Sequence, residues 1–321
     1  MDYTLLIMPG AFASSVALSV DILSSAALLA KSAGCTAPRW RVCSTLESVP
    51  LSNGMQISAR HLPQKTDHST WIIPGMGLAN ARAIAQRMQQ ADAQSAIHAL
   101  QRHAQRGGVI AASCSSVFLL QAAGLLAGKR VTTSWWFASL LQQMETGCVV
   151  DVNRILICDG NLITAGAALA QADLMLYLLR SQFSPALADA VARSLLIDGK
   201  QSQAQFIAPS MLAHGSELLS KLVTRFEQAL PNPPSVAELA AECCMSERTL
   251  ARHVRAASGC STNTLLQNVR LNKARMLLAS GDMSVEQVAA AVGYLDSSAL
   301  RRLLRKTTGA TPSQFRAAGM R

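Results

Sequence analysis

The feature that most restricts how this chain can fold is a repeat near its C-terminus. Residues 235–255 read SVAELAAECCMSERTLARHVR and residues 284–305 read SVEQVAAAVGYLDSSALRRLLR. Ser235 and Ser284 are 49 positions apart, as are Leu239 and Val288. Past the central turn the offset becomes 50, pairing Ser246 with Asp296, Leu250 with Leu300, Arg252 with Arg302 and Arg255 with Arg305. One structural unit has been used twice, so the two copies must share a fold.

Each copy opens on a capping box, Ser235 with Glu238 and Ser284 with Gln287, in which two side chains satisfy backbone N–H groups left over at a helix start. An Ala-rich helix follows, thin enough for a second helix to cross closely. After a short turn Ser246 or Asp296 caps that second helix. There Leu250 and Val254, or Leu300 and Leu304, recur at i and i+4 and face inward. The opposite face carries Arg248, Arg252 and Arg255 in one copy, and Arg301, Arg302, Arg305 and Lys306 in the other. This is the pattern of a helix-turn-helix with a basic second helix. Between the copies, residues 263–279 predict one long amphipathic helix bearing Arg270, Lys273 and Arg275, a spacer able to set two reading helices about one DNA turn, roughly 34 Å, apart. A plain helical bundle with solvated arginines is the alternative.

Charge follows the repeat. Residues 229–321 hold twelve Lys/Arg against six Asp/Glu, a net +6, whereas residues 1–228 hold seventeen against thirteen, a net +4. A basic end of this kind suits phosphate-bearing partners.

The chain divides ahead of the repeat. Pro231-Asn232-Pro233-Pro234 cannot continue a helix, and 321 residues suffice for two domains. We expect boundaries at 1–195, 196–232 and 233–321, the middle piece being a helical linker whose helix near 217–230 could belong to either side. The first 180 residues alternate short apolar runs with Ala-rich stretches, the pattern of an α/β layered sheet. Strands are expected at 4–8, 41–44, 70–73, 109–112 and 131–133, helices at 81–106 and 117–123, and a hairpin turning on Asp159-Gly160-Asn161.

No apolar stretch reaches the roughly 18 residues of a membrane span, and no basic segment precedes the first apolar run, so a cytoplasmic chain without membrane contact is expected. The eight cysteines form no Cys-x-x-Cys pair. No metal site or cofactor is expected, and most cysteines read as small buried hydrophobes.

Cys114 is set apart by its neighbours. Residues 107–126 read GGVIAASCSSVFLLQAAGLL, a strand running into a helix with small residues on both sides of one cysteine. That is the layout of a nucleophile elbow, which exposes its side chain at the edge of a sheet. A helix N-terminus there would favour the thiolate. The loop Pro74-Gly75-Met76-Gly77 could supply backbone N–H donors as an oxyanion hole does.

On these residues two resemblances can be stated. Residues 235–316, with Gly293-Tyr294 and the tail Gly309 to Arg316, resemble the DNA-binding domain of AraC/XylS-family transcriptional regulators. The resemblance implies that Arg248, Ala251 and Arg252 in the first copy, and Ser297, Ser298, Arg301 and Arg302 in the second, face base edges. Arginine pairs bidentately with guanine for about 1 to 3 kcal/mol of discrimination. Arg255, Arg305 and Lys306 suit phosphates, and Ala251 offers only an apolar contact. Residues 1–190 resemble the PfpI-like, class I glutamine amidotransferase-like domain found fused to AraC-type modules in the GlxA-like group. That implies a flavodoxin-like three-layer α/β sandwich joined to an all-α tandem helix-turn-helix domain.

The departures from the second family matter. Ser116 stands where that family often has glycine. Where its catalytic members and regulator relatives carry histidine the chain reads Thr132-Thr133-Ser134, and serine cannot replace an imidazole base. No acid occupies the loop Gly10 to Ser15, and Asp21 on the next helix is the acid expected to reach the pocket. We therefore expect a degenerate site that binds a small-molecule effector, walled by Phe12, Ser14, Gly75, Met76, Cys114, Ser115 and Ser134. Residual cysteine hydrolase activity and a purely structural cysteine are the alternatives. Trp135 and Trp136 are either ordinary packing or a cage for a quaternary amine, which would make the effector an amine or amino-acid-like metabolite. The expected partners are double-stranded promoter DNA, that effector, RNA polymerase and a second copy of the chain, in the service of transcriptional activation. A nonspecific architectural DNA protein is the remaining reading.

Overall fold

A computed structural model describes residues 1–63, 68–198, 217–258, 261–308 and 311–313, without the side chains of 306–308. The chain divides into two compact units, Met1–Lys200 and Gln201–Arg321.

The first unit is built on a seven-stranded sheet of order β10-β11-β7-β6-β1-β2-β5, where β1 is Tyr3–Leu6, β2 Trp40–Ser44, β5 Arg60–His61, β6 Thr70–Ile73, β7 Ile110–Ser113, β10 Leu156–Asp159 and β11 Leu162–Ala165. All neighbours pair in parallel except β10 with β11, the hairpin expected around Gly160. The strands read as unbroken apolar runs because both faces are covered. Leu6, Trp71, Ile73, Ile110 and Ala112 enter one core with helices α2 (Ala81–Met88), α3 (Ala91–Gln105), α4 (Val117–Ala122) and α5 (Ala138–Met144). Tyr3, Leu5, Ile72 and Ala111, one position out of phase, enter the other with α1 (Ala13–Leu29), α6 (Ala170–Gln182) and α7 (Pro185–Ser194). The period-2 alternation of a strand thus divides each run between two helical layers. This is the flavodoxin-like sandwich the sequence suggested.

Three local expectations change. The helix expected over 81–106 is two helices: Gln90 is extended (φ −69°, ψ 145°), and the Arg87 guanidinium locks the break by donating to Gln90 Oε1 (2.7 Å) and Asp92 Oδ1 (2.9 Å). The strand expected at 131–133 is only β8 (Arg130–Val131), paired with β9 (Val149–Val150) outside the main sheet. A further hairpin, β3 (Ser48–Pro50) with β4 (Gln56–Ser58), was not foreseen. None of the described helices is long and apolar enough to cross a membrane.

The second unit is helical where described: α8 (Glu217–Gln228), α9 (Val236–Glu242), α10 (Glu247–Ser258), α11 (Thr262–Ser280), α12 (Val285–Ala291) and α13 (Ser297–Thr308). Helix α8, expected inside a linker, is part of this unit. Its Leu219, Leu222, Val223 and Phe226 are buried, and it packs against α11 and α10. The tail from Gly309 to Arg316 and Cys260 fall largely or wholly outside the described residues. Of the described cysteines, Cys43, Cys114 and Cys148 are buried, Cys35 and Cys243 half-buried, and Cys158 and Cys244 exposed, so the buried reading holds for only some of them.

Candidate functional site: a paired helix-turn-helix and a closed cysteine elbow

Both capping boxes form. Ser235 Oγ accepts from Glu238 N while Glu238 returns a carboxylate to Ser235 N at 2.7 Å, and Ser284 and Gln287 do the same in the second copy. Ser246 accepts from Thr249 N at the start of α10, and Asp296 accepts from Ser298 N at the start of α13. That hydrogen bond holds the Asp296 carboxyl below its usual range. Leu250, Val254, Leu300 and Leu304 are fully buried, which fixes the rotation of each second helix. Consequently Arg248, Ala251, Arg252 and Arg255 are exposed on α10, and Ser298, Arg301, Arg302 and Arg305 on α13, with Ser297 half-buried. The Lys306 side chain lies outside the described residues.

The two faces are unequal. Arg301 Nη2 donates to Glu286 Oε1 at 2.9 Å, and Ser297 Oγ reaches the same oxygen at 3.4 Å. In the first copy the corresponding positions are Ala251 and Ala237, so that pair exists once. A cleft of about 420 Å³ beside α13 is lined by Arg301, Arg302, Arg305, Thr311 and Ser313, donors suited to a phosphate. Arg270 and Arg275 in α11 are half-buried rather than solvated. The Arg270 guanidinium lies 5.5 Å from the ring centres of both Phe226 and Tyr294.

The elbow is also present, but closed. Cys114 sits between β7 and α4 with φ 56°, the left-handed conformation that non-glycine residues seldom adopt. Its N–H donates to Gly166 O (2.8 Å), and Thr133 Oγ1 donates to its carbonyl (2.7 Å). Only 1% of the residue is exposed, against the expected exposed nucleophile. Burial pushes the thiol pKa up, outweighing the Ser134 hydroxyl that donates to Sγ at 2.8 Å. The thiolate expected from the helix N-terminus is therefore disfavoured.

The oxyanion loop is occupied by the protein itself. Gly75 N donates to Ser113 Oγ and Met76 N to Ser115 Oγ, each at 3.1 Å, while Gly77 N donates to Gly10 O at 2.8 Å. Ser115 and Ser116 in turn donate to the carbonyls of Met76 and Pro74. Gly75 approaches so closely that a Cβ there would lie 2.5 Å from Cys114 Cβ. Of the expected wall, Gly75, Met76, Cys114, Ser115 and Ser134 come together but are buried, Phe12 is half-buried at the start of α1, and Ser14 is exposed. Asp21 is exposed on α1. Trp135 and Trp136 meet edge to face (5.2 Å, 89°), with Trp136 against Phe137, which is aromatic packing and not a cage. Ser113 and Ser116 were missed as site residues; four consecutive small polar-capable residues in a buried stretch were the available signal.

Residues 16–181 match the DJ-1/PfpI family, and residues 239–318 match a helix-turn-helix domain family. The chain belongs to the DJ-1/PfpI family. Its second domain makes it an AraC-type DNA-binding transcriptional regulator, in keeping with its relatives. It is 26% identical over 283 residues to the HTH-type transcriptional regulator CdhR of Pseudomonas aeruginosa, covering 87% of this chain and 82% of that one. It is 32% identical over 99 residues to the HTH-type transcriptional activator RhaR of Escherichia coli, 31% of this chain and 35% of the relative. The fold is similar to that of a THiJ/PfpI family protein from Pseudomonas syringae, with a TM-score of 0.53, 19% identity, and coverage of 70% of this chain and 87% of the other.

Proposed function

We propose that this regulator reads a defined operator with α10 and α13 and that its DJ-1/PfpI-family unit is a sensor, not an enzyme. The observation that carries the first part is the pair of matched, capped helices whose apolar stripes are buried and whose arginine faces are open. Arg248, Ala251 and Arg252, with Ser297, Ser298, Arg301 and Arg302, are the base-facing set; Arg255, Arg305 and Lys306 take phosphates. The second part rests on the Cys114 seat. A cysteine nucleophile needs a proton acceptor and free oxyanion donors. Here a serine hydroxyl points at the sulfur, and the loop N–H groups are already bonded.

The effector, a small metabolite, then binds over this seat near Phe12 and Ser14. The name of RhaR supports an activator, which implies contact with RNA polymerase. A homodimer would pair two such readers on a repeated operator, and a regulator acting on DNA in this way would work in the cytoplasm.

The test is competition binding. Arg252→Ala and Arg302→Ala should each reduce the preference for operator over random duplex by about tenfold, corresponding to the loss of one bidentate guanine contact of about 1 to 3 kcal/mol. Binding should also weaken steeply with salt. Unchanged preference in both variants would remove the docking assignment.

A further inference from the structure

Helix α8 precedes both recognition units in the chain, yet its side chains meet the first directly and the second through Arg270 of α11. Arg225 grips the first unit: its Nε and Nη2 donate to the two carboxylate oxygens of Glu242, at the end of α9, at 3.0 and 2.8 Å. The next residue, Phe226, is buried, and the Arg270 guanidinium lies over its ring and over that of Tyr294, in the turn of the second unit, at 5.5 Å from each ring centre. A third contact follows a few residues on. The Pro231 carbonyl oxygen presses so closely on Gly293 that a Cβ there would lie far inside contact distance.

The internal repeat supplies a control for that glycine. The first unit places Cys244 at the position matching Gly293, and both residues are left-handed, with φ 55° and 82°. The turn itself therefore accepts a side chain. Glycine is required in the second unit by the approach of residue 231, whose carbonyl oxygen would clash with a Cβ.

We propose that the segment 225–231 is a clamp between the two recognition units, and that Arg225, Phe226 and Arg270 are positioning residues that fix the distance and rotation between α10 and α13. This rests on the operator-reading role proposed above. Helix α11 alone joins the units end to end; the clamp adds a second, lateral tie, so the pair acts as a rigid two-toothed reader. Two linked modules bind more tightly than one only when both can engage at the spacing the linkage allows. A rigid linkage should thus punish a change in subsite spacing, because one inserted base pair rotates the second subsite by roughly 35°.

The experiment uses the full chain and a duplex selected by it from a random pool. Affinity is measured for that duplex, for the same duplex with one base pair inserted between its two subsites, and for a duplex with one subsite scrambled. Arg270→Gln and Arg225→Gln should each lower affinity for the intact duplex, the former by about tenfold out of the roughly hundredfold or greater gain of linkage. Both should shrink the insertion penalty, while single-subsite affinity stays within about twofold of the parent. Arg270→Lys, which keeps a cation beside both rings, should recover part of the loss. If Arg270→Gln fails to fold by circular dichroism, the exposed pair carries the test through Arg225→Gln. Folded variants with an unchanged insertion penalty would overturn the clamp and leave α11 as the sole ruler. A parent chain that selects no two-part duplex would overturn the operator reading, and the clamp with it.

Discussion

At the scale of single residues, Cys114 keeps the backbone geometry of a nucleophile elbow in a seat closed to solvent. Its left-handed backbone is of the kind that costs of order 1–3 kcal/mol and survives only where the surroundings dictate it. Here Gly166, Thr133 and the close approach of Gly75 hold it. Because burial raises the thiol pKa, the reactive thiolate is depleted at neutral pH and recovers only as pH climbs. Iodoacetamide at pH 7.5 should therefore label the exposed Cys158 and Cys244 well before Cys114, and denaturant should abolish the difference. Peptide mapping of the labelled chain reads this directly, and rapid labelling of native Cys114 would show an open site. The elbow was legible in the run from Ser113 to Ser116. Its closure was not, since it depends on hydroxyls meeting a loop 38 to 42 positions away in the chain.

At the scale of elements, capping and periodicity served well where local chemistry decides the outcome, as in both helix-turn-helix copies and the 156–165 hairpin. They failed where a tertiary contact decides. Neither glycine nor proline marks the break at Gln90; a buried arginine imposes it. Helix α8 is amphipathic, but nothing in its own residues says which core receives that face. The α12–α13 turn offers a sharp check. Gly293→Ala places a methyl against the Pro231 carbonyl in a left-handed position, and should cost at least about 1 to 2 kcal/mol for the backbone alone. Cys244→Gly, at the matching position of the first unit, relieves the same backbone cost and should be neutral or slightly stabilising. Denaturant titration of the two variants measures the contrast. A cost at Gly293 no larger than the backbone cost alone would remove the special role of the Pro231 contact.

At the scale of the whole molecule, the chain joins a sheet-based domain with a closed elbow to a duplicated helix-turn-helix. The division into a sandwich and a helical module was visible in the switch from strand-helix alternation to helices alone and in the 49-residue repeat. What could not be read was whether the seat around Cys114 is open, because the same small residues can line a pocket or fill it. The inequality of the two readers was visible as letters, with Ala251 matching Arg301. Its physical form, the ion pair of Arg301 with Glu286, needed the fold. The central claim, that two recognition helices read one face of a duplex together, is tested most directly by hydroxyl-radical footprinting of the full chain on its selected duplex. The account predicts that each bound copy protects two patches on the same face, about 10 base pairs apart. A single patch, or uniform protection without a defined site, would contradict it.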